Sequence, residues 1–192
     1  MNAEPEMPRI GVLAIQGDYA AHADALVQSG AVPVEVRKHE ELEDLDALII
    51  PGGESTTMLK FLERGQLFDV LKTFCRSHPV FGTCAGAILL AREVRNPPQA
   101  SLGLLDAVIE RNAYGRQIDS RIAQIDVAGK PAEAVFIRAP IIRRVGPKAK
   151  VLAEYQGDPV MVEEGKHLVA TFHPELSSND WIHREFVARV AQ

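Results

Sequence analysis

Cysteine is scarce: two residues in a chain of 192 cannot build a disulfide framework, and a reducing compartment would keep both as thiols. Basic blocks are missing as well. Lys and Arg number 21 against 26 Asp and Glu, a net charge of −5, and no phosphate-backbone track stands out, which argues against nucleic acid as a partner. No uninterrupted apolar run is long enough to span a bilayer, and the opening MNAEPEMPRI is acidic and contains Pro, unlike a signal or transit peptide. A cytoplasmic location is therefore expected, with no membrane partner. The G-K-[S/T] of a P-loop is absent, as is G-x-G-x-x-G after the first apolar stretch, so neither a nucleotide phosphate nor a dinucleotide has its usual cradle. No H-x-x-x-H or C-x-x-C supplies metal ligands. Neither a cofactor nor a metal is expected, and there is no internal repeat or low-complexity segment.

What is present is an ordinary globular composition, 46% hydrophobic and 24% charged, in a length suited to one substantial core, and residues 1–192 are read as a single domain. Apolar runs and helical periodicities alternate. Arg9 to Ile15 read as a strand, Tyr19 to Gln28 as an Ala-rich helix stopped by Gly30, and Val32 to Arg37 as a second strand. Ala47 to Ile50 read as a third strand, Thr56 to Arg64 and Gln66 to Ser77 as helices, and Val80 to Phe81 as a strand leading to a further apolar helix. Such alternation predicts an α/β fold with a mostly parallel sheet covered by helices on both faces, ligands gathering at the carboxyl ends of the strands. Beyond the loop at Pro97-Pro98 the chain is richer in strands (AVIER, RIAQIDV, AVFIRAP, VLAEY, PVMVEEG, HLVATFHP), which predicts an antiparallel extension of the sheet. Asn179 to Val190 read as a closing helix with Asp180 in its first turn.

The chemistry concentrates at GTCAG, residues 82–86. A G-x-C-x-G bend between strand and helix holds its central side chain clear of the backbone and at a helix N-terminus, which favours a thiolate; close helix-strand packing is the alternative use of the same glycines. Cys75 falls with Leu67, Val70, Leu71 and Phe74 on one helical face and is read as a small buried hydrophobe. A cysteine nucleophile needs a base, and that base an orienting partner. Among six histidines, His173 stands out: Pro174 holds it extended, so His173 and Glu175 project on one side, a carboxylate beside an imidazole. His22, His39, His78, His167 and His183 are weaker candidates. In LIIPGGESTTMLKFL, Gly52-Gly53 either makes a plain strand-to-helix turn capped by Ser55 or Thr56, or lets the Gly53 N–H approach a substrate and, with the N–H of Ala85, hold an oxyanion.

GTCAG and FHPE, residues 172–175, resemble the triad class of glutamine amidotransferases. GVLAIQG, LIIPGGESTT, FGTCAGAILLA, LGLLDAVIERNAYGRQIDS, VFIRAP and FHPEL together resemble the glutaminase subunits of pyridoxal 5′-phosphate synthase, from about Ile10 to the C-terminal helix. The resemblance implies a fold of the class I glutamine amidotransferase, flavodoxin-like kind. It implies Cys84 as nucleophile, His173 as acid/base and Glu175 as the group orienting it, hydrolysing L-glutamine to glutamate and ammonia. It also implies contacts to glutamine from Gly53, Glu54, Ser55, Arg111, Ile137 and Arg138, and a synthase subunit as the partner that uses the ammonia. Nothing in the sequence itself looks able to use ammonia, which agrees with an acceptor on another chain. Two other readings stay open at this point: a glutaminase feeding a different synthase, such as the anthranilate or GMP type, and a non-catalytic regulatory subunit.

Overall fold

The computed structural model describes residues 6–113, 120–178 and 180–192. The chain opens with β1 (Arg9–Leu13), α1 (Tyr19–Gln28), β2 (Val32–Val36), β3 (Ala47–Ile50), α2 (Ser55–Arg64), α3 (Leu67–Ser77), β4 (Val80–Thr83) and α4 (Ala85–Leu90). There follow β5 (Ala91–Arg95), β6 (Leu105–Glu110), β7 (Arg121–Val127), β8 (Lys130–Phe136) and β9 (Ile141–Val145). The chain closes with β10 (Lys150–Tyr155), β11 (Asp158–Glu164), β12 (His167–Ala170) and α5 (Trp181–Val190). The main sheet has the order β10-β11-β12-β4-β3-β1-β2. Strands β2, β1, β3, β4 and β12 are parallel to one another, while β11 and β10 join antiparallel at one edge.

The alternation of side chains along each strand divides the interior into two layers. On β3, Leu48 and Ile50 pack with Met58, Leu62, Leu71 and the whole of α4 on one face. Ala47 and Ile49 pack with Leu26 of α1 and with Ile182, Phe186 and Val187 of α5 on the other. The five parallel strands thus lie between helical layers, the arrangement their unbroken apolar composition predicts. No helix among the described residues is long and apolar enough to cross a membrane.

The structure corrects the sequence reading in detail. Only part of the strand-rich stretch extends the main sheet: β5, β6 and β9 form a sheet of three strands, and β7 with β8 a separate antiparallel pair. AREVR and IIRRV, not expected as strands, are β5 and β9. β4 continues through Gly82 and Thr83, so the reversal is tighter than expected, and the helix after it ends at Leu90, with Ala91 already in β5. α2 is capped by neither Ser55 nor Thr56. Glu54 is its N-cap, its carboxylate accepting from the Thr56 N–H at 3.1 Å and the Thr57 N–H at 2.8 Å. The closing helix begins at Trp181, Asp180 preceding it. Asn179, and residues 114–119 of the ERNAYGRQ motif, lie outside the described residues.

Candidate active site

Parallel strands share a direction, so the segments leaving β1, β3, β4 and β12 emerge at one edge of the sheet. β4 and β12 are immediate neighbours with Thr83 beside Ala170, and the Cys84 N–H donates to the Ala170 carbonyl at 2.8 Å. The nucleophile candidate therefore sits next to the segment carrying His173. The His173 N–H is itself held by the Val135 carbonyl at 2.8 Å.

Cys84 has φ 49° and ψ −102°, a left-handed backbone that costs a non-glycine residue on the order of 1–3 kcal/mol. The glycine two residues on permits the turn: a Cβ on Gly86 would lie 1.9 Å from the Ile50 carbonyl oxygen. With β3 and α4 so close, the chain reverses within one residue, and the residue at the bend bears the strain. Gly52 has a second kind of necessity. A Cβ there would fall 2.4 Å from Cε1 of His173 and 3.3 Å from Cβ of Cys84, so bare backbone is what lets sulfur and imidazole lie side by side.

The His173 ring stands beside the Cys84 side chain across Gly52, close enough to interact with the thiol, and its Nδ1 lies 2.7 Å from Oε1 of Glu175. Burial of the ring acts to lower its pKa, but its interactions with Cys84 and Glu175 outweigh it and hold the protonated form up to about 10. The Glu175 side chain is fully buried. Cys84, His173 and Glu175, singled out from separate motifs, form one continuous line. Asp18, exposed at the start of α1, brings a carboxylate within 4.8 Å of the His173 and Glu175 ligand atoms.

A cleft of about 110 Å³ opens over the sulfur, lined by Cys84 together with Gly53, Glu54, Ser55, Arg111, Ile137 and Arg138. All six residues expected to contact a small substrate thus meet at one place, and Ile88, Asn112 and Pro140 complete the wall. Ala85 is buried at the first position of α4, directly behind Cys84. The Arg111 guanidinium is only 12% exposed and donates to Thr56 Oγ1 at 2.7 Å, 3.8 Å from the Glu54 carboxylate. Arg138 is exposed on a left-handed backbone of φ 46°. Besides the two backbone N–H groups, Glu54 accepts from the Thr57 hydroxyl, and this bonding, the hydroxyl's foremost, holds its carboxyl below the usual carboxylate range.

The sequence reading passed over the groups behind Glu175. His22 of α1 and His183 of α5, ranked as weak candidates, are both fully buried. Nε2 of His22 lies 3.2 Å from Oε2 of Glu175 and 3.1 Å from Thr83 Oγ1, and its Nδ1 lies 2.9 Å from Nε2 of His183. Their one signal in sequence is a histidine on the otherwise apolar face of an amphipathic helix, which on its own is more often core than site. Cys75, by contrast, is buried in α3, with its thiol pushed up to about 12 by burial alone.

The model of the SNO glutamine amidotransferase family matches residues 12–192. The chain belongs to this family. Among curated members, the pyridoxal 5′-phosphate synthase subunit PdxT of Solibacter usitatus is 56% identical over 192 residues, covering 96% of this chain and 100% of that protein. The PdxT of Koribacter versatilis is 50% identical over 184 residues, 95% of each chain. A crystal structure of a glutamine amidotransferase superposes with a TM-score of 0.90 at 45% identity, covering 95% of this chain and 99% of that one. The structure of PurLQS from Thermotoga maritima, at 17% identity and a TM-score of 0.70, shares the fold over 97% of this chain and 98% of its own. The family's α/β architecture, with helices about a mostly parallel sheet and an antiparallel edge, is the one described above.

Proposed function

We propose that this chain is the glutaminase subunit of a pyridoxal 5′-phosphate synthase, acting in the cytoplasm as a single glutaminase domain and passing ammonia to a synthase subunit. The observation that carries the reading is the line from Cys84 through His173 to Glu175 at the floor of a cleft walled by charged groups of both signs. Relatives named as PdxT, 44–56% identical along nearly their whole length, support the same assignment, and none of the observations favours a different synthase or a non-catalytic role.

In this reading glutamine enters with its carboxamide toward Cys84. Arg111, already held by Thr56, takes the α-carboxylate, and Arg138 flanks the mouth; Gly53, Glu54, Ser55 and Ile137 complete the contacts. A protonated His173 gives the sulfur a counter-ion, so the thiolate attacks the carboxamide carbon while the N–H groups of Gly53 and Ala85 receive the oxyanion. His173 then passes its proton to the departing ammonia, leaving a γ-glutamyl thioester. Water, deprotonated by the same imidazole, attacks the thioester and releases glutamate, and the sulfur leaves as thiolate. Glu175 fixes the tautomer of His173 throughout. The test is glutamate release from glutamine by the chain mixed with a pyridoxal 5′-phosphate synthase's synthase subunit. Turnover above the uncatalysed rate, raised by the partner, is expected; no glutamate with or without the partner would overturn the reading.

A further inference from the structure

Glu175 has two oxygens, and the proposed triad uses one. The other, Oε2, is buried and faces Nε2 of His22 at 3.2 Å, a contact near enough for a strong electrostatic interaction but off-axis for a hydrogen bond. A buried carboxylate oxygen with nothing aimed at it is costly, so the group opposite it matters. Resting on the glutaminase reading, we infer that His22, backed by His183, is a positioning residue for this reaction: its Nε2–H edge, anchored by Thr83 Oγ1, faces the second oxygen of Glu175 at 3.2 Å and holds it electrostatically so that the first stays aligned on His173.

The proton positions follow from the partners. Glu175 as a carboxylate can only accept, so the facing Nε2 of His22 carries the hydrogen; the opposite tautomer would set two lone pairs against each other at 3.2 Å. His22 stays neutral, because burial first, and then the neighbouring His183 and His173 rings, hold its pKa well below the ordinary value. Its Nδ1 is then bare and accepts from the Nε2–H of His183 at 2.9 Å. That in turn leaves Nδ1 of His183 bare, and this is the buried nitrogen for which the structure provides no partner. One arrangement, His183 donating to His22 and the His22 Nε2–H donating to Thr83 Oγ1 while facing Glu175, accounts for every nitrogen of the pair. The neutrality of His22 matters as much as its hydrogen. A charged imidazolium there would compete with His173 for the carboxylate, whereas a neutral donor orients Glu175 and leaves its charge to the catalytic ring. His22 Nε2 also reaches Thr83 Oγ1, the residue before Cys84, so one ring ties the strand of the nucleophile to the segment of its base.

The experiment uses the full chain with its synthase partner and compares wild type, His22→Leu and His22→Gln, since a glutamine amide places a donor near the Nε2 position. His22→Leu is expected to lower kcat about ten- to hundredfold with KM within about twofold, the size of leaving a buried carboxylate oxygen with no polar group facing it, and His22→Gln to recover most of it. Wild-type kcat in His22→Leu, or equal impairment in both variants, would overturn the inference. The imidazole ¹⁵N spectrum of the wild-type chain needs no variant to fold: hydrogen on Nε2 of His22 with bare Nδ1 is expected, and the reverse tautomer overturns the inference. A wild-type complex that releases no glutamate counts against the glutaminase reading instead, and the ¹⁵N spectrum still decides the tautomer.

Discussion

Two regions of this molecule bury a cysteine almost equally, Cys84 at 7% exposure and Cys75 at 0%, and yet they are chemically opposite. Around Cys75 everything is apolar helix packing, and desolvation pushes the thiol up to about 12. Around Cys84 the backbone is left-handed, an imidazole stands beside the thiol, and a cleft opens above it. Burial alone therefore says little about a thiol. In the proposed reaction, reactivity lies in the strained turn and the proton acceptor, both of which the sheet assembles from segments far apart in the chain.

The sharpest way to break this contrast is to remove each sulfur. Cys84→Ala is expected to lower glutamate release at least about ten-thousandfold while leaving the circular dichroism spectrum unchanged. Next in size, Glu175→Gln keeps the shape but removes the charge that supports a protonated His173, and a loss of about a thousandfold in kcat is expected from steady-state kinetics.

A smaller effect separates the histidines. His183 has its pKa lowered to about 4 from 6.5, chiefly by burial, so the unfolded chain binds the proton first as pH falls. The stability it contributes is fully present above pH 6.5 and is lost as pH drops toward 4, up to about 3 kcal/mol. His173 runs the other way: its raised pKa gives stability that is complete below 6.5 and lost as pH climbs through about 10. Urea midpoints measured across pH 4 to 10 should fall at both ends, and His183→Gln should lessen the acid-side fall, which the likewise lowered His22 shares, without changing the alkaline side. The least effect belongs to Cys75→Ala, about 1 kcal/mol of stability for the lost sulfur and unchanged kcat. Equal loss of activity from both cysteine variants would erase the contrast.

Much of this was legible in the sequence, and what was not has physical causes. Glycine stops and apolar alternation mark α1, β3, α2 and α3 closely, and G-x-C-x-G with H-P-E exposes the line of Cys84, His173 and Glu175 because each motif encodes a local backbone need. β5 escaped because a register shift between Ala91 and Glu93 breaks its alternation, and β9 because two buried residues precede two exposed ones. Glu54 escaped as a cap because Ser and Thr follow it and have the stronger general preference for that position. His22 and His183 come from helices at opposite ends of the chain, and helical spacing cannot distinguish a core imidazole from one aimed at a carboxylate.

β12 is the last parallel strand made, yet it is the one that lies against β4 and accepts the Cys84 amide. A chain clipped before residue 167 lacks both the strand that lies against β4 and the imidazole that stands beside the thiol. In the proposed reaction, the two halves of the site therefore meet only once the segment from residue 167 onward is in place.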